Sequence, residues 1–252
     1  MRAKAFEEAL RDRAIERVVP FPFGRALFND SYPRVWELNL LRVETPEGAT
    51  VEALVGEAER LQGEAGHAHR RIAVPDEQAG ARLARGFETA GWRIDCFLFM
   101  AYRGPGERRV DAKAVAEVAL GDLRPLRERI AAGEPWADSE ETVAMVLDAS
   151  GLTLRHGNAR HFAALVDGEP AAAADLYSDG RTAQIEDVST LPEFRGRGLA
   201  SAVVARAANE ALAGGHDLVF LVADDADWPK ALYARLGFAP LGRKWVFFRP
   251  PA

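Results

Sequence analysis

A short run, Arg195-Gly196-Arg197-Gly198, separates an apolar strand pattern at 182–188 from a helical pattern over Leu199–Ala213. A strand that turns through two glycines directly into a helix calls for an α/β layer, because the helix must pack its apolar stripe back onto the sheet. Glycine lets backbone approach a ligand closely. The free N–H groups at a helix start, together with the helix dipole, favour an anion. The expected ligand is a phosphate or pyrophosphate. A Walker loop is excluded because no Gly-Lys-Ser/Thr follows. The Rossmann fingerprint fails as well, since Ser201 occupies its third glycine position and no first-strand context precedes it. A glycine-containing turn that binds nothing is the competing reading.

The flanking chain supplies the layers. Ala3–Val18 reads as an amphipathic helix through Phe6, Leu10 and Ile15, broken by Pro20-Phe21-Pro22-Phe23-Gly24. Strand, helix, strand, helix and strand then follow at Arg34–Glu44, Val51–Gln62, Arg70–Val74, Glu77–Thr89 and Ile94–Tyr102. Arg103–Arg109 is rich in glycine, proline and charge and marks a boundary. Beyond it come a strand at Ala114–Ala119 and helices at Asp122–Ala132 and Ser139–Ala149, the second with Asp138 and Glu141 at capping-box spacing. A hairpin turns at Asp167-Gly168, and strands at Thr182–Val188, Leu218–Ala223 and Trp245–Arg249 alternate with helices at Leu199–Ala213 and Pro229–Leu236. The sum is a mixed α/β sheet.

The two halves resemble each other. Pro46-Glu47 precedes Pro192-Glu193 by 146 residues, and the same offset relates Phe87 and Gly91-Trp92 to Tyr233 and Gly237-Phe238. The shared order of strand, helix, strand, helix, Gly-aromatic and strand argues for an internal duplication. At that offset Ala49, Glu52 and Leu54 face Arg195, Gly198 and Ala200, so the first half places an acid where the second has glycine.

Charge and composition narrow the partners. The 252 residues carry 32 Lys and Arg against 38 Asp and Glu, a net −6 that argues against a general nucleic-acid binder. Cys96 is the single cysteine, which excludes an intrachain disulfide, and it reads as a small buried hydrophobe. The longest wholly apolar runs are strand-sized, so no membrane partner is expected. The N-terminus lacks a signal peptide's continuous apolar core, making the cytoplasm the expected compartment. His67, His69, His156, His161 and His216 lack carboxylate or cysteine neighbours at ligand spacing. They read as solvated residues, and no metal is expected.

Ile185–Ala200, with Ala231-Leu232-Tyr233-Ala234-Arg235-Leu236-Gly237-Phe238 downstream, resembles the GNAT acetyltransferase superfamily. Its signature Arg/Gln-x-x-Gly-x-Gly/Ala is met by Arg195, Gly198 and Ala200, and its penultimate-helix motif by Leu232, Tyr233, Leu236, Gly237 and Phe238. The resemblance covers Val110 to Pro250 well and residues 22–105 weakly. It implies a mixed, mostly antiparallel GNAT sheet flanked by helices, in two tandem GNAT-like halves. Residues 1–105 would form a degenerate half without a CoA loop, and 110–252 the catalytic domain.

By the same resemblance, the backbone from Arg195 through Gly196, Arg197, Gly198, Leu199, Ala200 and Ser201 would hold the pyrophosphate of acetyl-CoA. Val188, Ser189 and Thr190 would bond its pantetheine and acetyl carbonyl, one N–H there also serving the tetrahedral oxyanion. Tyr233 matches the general acid for the departing thiolate, against the alternative of a core tyrosine. Glu186 is the candidate base, with Asp187 on the opposite strand face unless a bulge shifts the alternation. A water-facing carboxylate is the alternative. Relatives often carry Asn at the start of the penultimate helix; here Asp227 is expected to cap it, with Pro229 in its first turn. Glu134, Trp136 and Asp138 fall where the family often lines its acceptor site.

The implied function is acetyl-CoA-dependent N-acetyl transfer to a small amine or peptide amine, in a monomer or homodimer. Acetyl-CoA acts as co-substrate. The alternatives are a non-catalytic acyl-CoA-binding module and a mycothiol-synthase-like acetyltransferase acting on a sugar-linked cysteine amine.

Overall fold

The computed structural model describes residues 1–107, 114–156 and 158–251. The end of the expected boundary segment, Arg108-Arg109, and the start of the second half at Val110 lie outside the described residues. The chain forms two compact units. The larger comprises Met1–Leu10, Phe99–Ala223 and Trp228–Leu241, and the smaller Arg11–Leu98, Asp224–Asp227 and Gly242–Ala252.

Helix α1 spans Arg2–Asp12, shorter than the expected helix to Val18. The residues that follow enter a hairpin instead, β1 (Arg17–Phe21) against β2 (Gly24–Phe28). Val18 and Val19 favour extended backbone. Pro20 is tolerated because β1 is an edge strand, where a missing N–H costs no ladder bond. The expected strand Arg34–Glu44 divides into a 3-10 turn at Trp36–Leu38 and β3 (Leu40–Val43). Buried Asn39 causes the division. Its amide donates to the carbonyls of Tyr32 and Val35 at 2.9 and 3.0 Å, and its oxygen accepts the N–H of Asn29 at 2.9 Å. Those bonds curl the backbone before the strand begins.

Helix α2 (Val51–Glu64), β4 (Arg70–Val74) and α3 (Glu77–Thr89) follow, then β5 (Arg93–Tyr102). The smaller unit orders its strands β1-β2-β3-β4, with β4 pairing antiparallel to the C-terminal strand β11 (Phe238–Arg249) through Trp245–Arg249. Of these pairs, β3 and β4 run parallel and the others antiparallel. Phe28, Leu41, Leu54, Ile72, Phe87 and Phe247 form its fully buried core, with Phe87 stacked on Phe247 at 4.0 Å between ring centroids.

The larger unit opens its sheet with β6 (Val115–Val118), followed by a 3-10 turn at Leu120–Leu123, α4 (Arg124–Ala131) and α5 (Glu140–His156). Ser139, one residue inside the expected capping box, caps α5 by accepting the N–H of Thr142 at 3.1 Å. Strands β7 (Arg160–Val166) and β8 (Glu169–Ser178) turn at Asp167 and Gly168, both in the left-handed region. Then come β9 (Thr182–Thr190), α6 (Leu199–Ala213), β10 (Leu218–Asp224) and α7 (Pro229–Arg235). The order is β10-β9-β8-β7-β6, with β9 and β10 parallel and the remaining neighbours antiparallel. This is a mixed, mostly antiparallel sheet flanked by helices, and α6 packs on β8 and β9.

Both units therefore contain a parallel strand pair joined by a helix, β3-α2-β4 and β9-α6-β10. A Cβ at Gly80 of α3 would stand 2.1 Å from the Trp245 indole, so Gly80→Ala should destabilise by about 1–3 kcal/mol, against the roughly 1 kcal/mol gain expected for an exposed helix glycine. Urea unfolding of both proteins measures the sign. Burial holds the imidazole of His69 down at about 4. Between pH 6.5 and 4 the unfolded chain binds a proton that the folded chain refuses, so stability should fall as pH drops through that window. His69→Gln should flatten this part of the stability curve.

Candidate active site

The site of the larger unit begins at an irregularity in β9. Its register with β8 runs Leu176↔Ile185 and Asp175↔Glu186, then resumes at Ala173↔Ser189 and Ala172↔Thr190. One residue of β8 thus faces Asp187 and Val188 together, which is a β-bulge. Asp187 takes a φ of +50°, uncommon for a residue with a side chain. The bulge interrupts the ladder where Val188, Ser189 and Thr190 end the strand, and such bulges re-aim backbone and side chains. It also removes the simple alternation that would set Asp187 opposite Glu186.

Glu186 is half-buried and Asp187 exposed. Gln184 donates its amide to Glu186 Oε2, while Gln184 Oε1 and Thr190 Oγ1 are buried with no partner among the described residues. Tyr177, across from Gln184, is nearly fully buried. Burial, then the charges of Asp187, Asp175 and Glu186, hold its phenol well above its ordinary range. The two candidate carboxylates on β9 therefore act on one phenol.

Beyond the bulge a 3-10 turn at Pro192–Phe194 leads into the glycine run. Gly196 and Gly198 have φ of +79° and +81°, conformations that glycine adopts without strain. Gly198 is the N-cap of α6, so no side chain covers the helix start, and no acid stands in the first turn. The first helical bond runs from Ala202 N–H to Gly198 O at 3.1 Å. The N–H groups of Leu199, Ala200 and Ser201 consequently have no partner inside the helix. Arg195 and Arg197 are exposed beside them, Arg195 reaching Thr190 O at 3.3 Å and Arg197 lying 5.1 Å from the Phe194 ring. Gly198, Leu199 and Ala200 are half-buried and Ser201 buried.

Tyr233 sits in α7, 7% exposed, with its ring edge-on to Phe238 at 6.3 Å. The N-cap position of α7 belongs to Trp228 rather than Asp227, and Pro229 does occupy the first turn. Asp224 instead organises the preceding loop, its carboxylate accepting the N–H of Ala226 at 2.8 Å. Glu134 is exposed and Trp136 half-buried after α4.

Sequence reasoning missed a buried polar row beside Glu186. Asp175 is fully buried; His161 Nδ1 bonds its Oδ1 at 2.6 Å, and Arg127 of α4 donates to its Oδ2 at 2.5 Å. His161, Asp175 and Glu186 occupy facing positions on β7, β8 and β9. The reading of the histidines as solvated fails for His67, His69 and His161, all less than a tenth exposed. The available signal was Asp175 itself, an acid following the apolar run Pro170–Ala174 within a strand. Among the described residues no group of His, Cys, Asp and Glu has the geometry of a metal site. No helix among them is long and apolar enough to cross a membrane.

A bulged strand leads through a glycine loop into an uncapped helix, with a parallel strand and a short helix to follow. Residues 123–238 match the model of the Acetyltransferase (GNAT) family. The fold has neighbours that span nearly the whole chain. A functionally unknown conserved protein from Staphylococcus epidermidis superposes with a TM-score of 0.71 at 17% identity, covering 94% of this chain and 95% of its own. A GCN5-related N-acetyltransferase from Kribbella flavida gives 0.66 at 22% identity, covering 100% and 95%. A tandem GNAT protein from the clavulanic acid biosynthesis pathway gives 0.55 at 16% identity, covering 84% and 75%. No curated protein matches the chain. The fold is that of two tandem GNAT-like halves.

Asp175→Ala strands the Arg127 guanidinium and His161 without their acceptor. It should lower stability by about 3–5 kcal/mol, the cost of breaking one side of a buried ion pair. Chemical denaturation gives the number directly.

Proposed function

We propose that the larger unit transfers an acetyl group from acetyl-CoA to a primary amine by direct attack in a ternary complex. The observation that carries this reading is the start of α6: three partnerless N–H groups behind a glycine cap, with two exposed arginines and no acid in the first turn. That arrangement suits a pyrophosphate. Thr190 Oγ1, buried without a partner beside the bulge, suits a polar group of the pantetheine arm. The residues present thus fit acetyl-CoA, which supplies an activated acyl group when bound.

This chain's residues then have distinct tasks. The backbone of Arg195–Ser201 binds the diphosphate, and Val188, Ser189 and Thr190 orient the arm along the end of β9. Glu186 accepts a proton from the incoming ammonium. An alkylammonium of pKa about 10.4 costs about 4 kcal/mol to deprotonate at neutral pH, so a fixed carboxylate has a clear use. Tyr233 donates a proton to the departing thiolate.

Residues 1–105 are proposed to serve as a degenerate half without a CoA loop. The chemistry of α2 supports this. Thr50 caps it through an Oγ1 bond from Ala53 N–H at 3.2 Å, and Glu52 stands in its first turn. A helix start capped by its own side chain and carrying a negative charge repels a diphosphate. Phe87, the counterpart of Tyr233, is fully buried core without a hydroxyl.

Gly198→Glu sets a side chain and a negative charge where only backbone should face the diphosphate. Calorimetry should show acetyl-CoA binding abolished with the circular-dichroism spectrum retained; unchanged affinity would refute the loop assignment. Tyr233→Phe should keep acetyl-CoA affinity and lower kcat by roughly a hundredfold or more, with the deficit shrinking at high pH where no proton donor is needed. Equal turnover at every pH would leave Tyr233 a packing residue.

A further inference from the structure

The smaller unit contains a buried arginine whose hydrogen-bonding groups the protein does not use. Arg71 lies on β4 opposite Phe248 of β11, on the sheet face away from Ile72 and Phe247, which point into the core. It is 8% exposed. Its Nε is buried without a partner, and no side-chain hydrogen bond from Arg71 is made among the described residues. The nearest carboxylate oxygen, Glu37 Oε1, is 3.6 Å from Nη2, beyond hydrogen-bond reach. The guanidinium lies 5.5 Å from the Phe248 ring centroid.

Arg42, on the adjacent strand β3, shows what the same unit does with a structural arginine. It is equally buried, at 6%, and forms a two-pronged pair with Asp12 at 3.0 and 2.7 Å. Burying a guanidinium costs several kcal/mol unless it is paired and hydrogen-bonded. The sequence meets that requirement for Arg42 and leaves it unmet for Arg71.

The surroundings of Arg71 carry surplus positive charge. Glu37 is contacted by Arg11 at 3.2 Å, and Arg11, Arg71 and Lys244 together hold its carboxyl down at about 2. Asp95, the other nearby acid, is engaged by Arg93 Nε at 2.8 Å. Four cations thus surround two carboxylates. Glu37 is 55% exposed at its side chain, so this charged cluster opens to water on the Glu37 side while Arg71 lies beneath. Trp36 lies tilted against Phe248 at 4.7 Å between ring centroids, and His69 bonds the carbonyl of Asn39 at 2.8 Å.

We infer that Arg71 anchors a binding site in the smaller unit for a small organic carboxylate. The planar fork of a guanidinium matches a carboxylate with two parallel N–H bonds, which a phosphate does not require. Glu37 stays with Arg11 and balances part of the surplus charge until the anion enters. This site is separate from the glycine loop of the larger unit and does not rest on the proposed acetyl transfer.

The experiment titrates the full chain with benzoate in a carboxylate-free buffer, following melting temperature and calorimetric heat, with benzamide and inorganic phosphate as comparison probes. Benzoate should bind saturably and raise the melting temperature, benzamide should do neither, and phosphate should bind at least tenfold more weakly. Arg71→Met should weaken benzoate at least tenfold while leaving the melting temperature in plain buffer unchanged or higher, because a buried guanidinium without a hydrogen bond has been removed. A variant that melts lower would make Arg71 a structural residue. Glu37→Gln, which removes the competing carboxylate, should tighten benzoate severalfold. No saturable benzoate binding, binding unaffected by Arg71→Met, phosphate equal to or tighter than benzoate, or no gain in Glu37→Gln would each overturn the assignment.

Discussion

The break in the β8–β9 ladder at Asp187 and Val188 governs the larger unit's site. Up to Glu186 the strand is committed to its antiparallel partner, and residue by residue it aligns Glu186 with Asp175. Past the bulge the pairing resumes one residue out of step, at Ser189 and Thr190, and the chain then turns through Gly196 and Gly198 into α6. Every residue proposed to bind acetyl-CoA, Val188 through Ser201, follows directly from that break. Behind it, the Arg127 guanidinium pairs with Asp175 and His161 hydrogen-bonds it, so an otherwise prohibitive buried carboxylate can stand beside the candidate base.

The two halves show how small a chemical change separates an open helix start from a capped one. Both contain a parallel strand pair bridged by a helix. In one, the helix begins at a glycine in the left-handed region and exposes its N–H groups; in the other, Thr50 occupies one of them and Glu52 opposes any anion. A few side chains at a helix start decide whether the dipole is offered to a ligand or satisfied internally. The smaller unit has instead kept an unsatisfied guanidinium at Arg71, on the opposite side of its sheet from the core.

Much of the fold was legible because its periodicities are clean. The helices Glu77–Thr89 and Leu199–Ala213 and the strand Arg70–Val74 occupy the residues that their apolar spacing predicts. Failures cluster where one polar side chain or one edge position overrides pattern. Asn39 converts the front of an apolar run into a turn, and Pro20 sits in a strand because an edge asks nothing of its missing N–H. The glycine loop is visible in the chain because each residue type there has a local backbone reason. Asp175, His161 and Arg127 are not, since their meeting depends on the register of three strands and the seating of α4. Arg71 is likewise unreadable without coordinates: its meaning lies in a hydrogen bond that Glu37 narrowly fails to make.

The central claim is that one helix start, and not its counterpart in the other half, is built for acetyl-CoA. Calorimetric titration of the full chain with acetyl-CoA tests it most directly. The predicted result is a single class of sites at one molecule per chain. Two per chain would show that the capped, acidic start of α2 binds as well, and no binding at all would show that the uncapped start of α6 is only a turn.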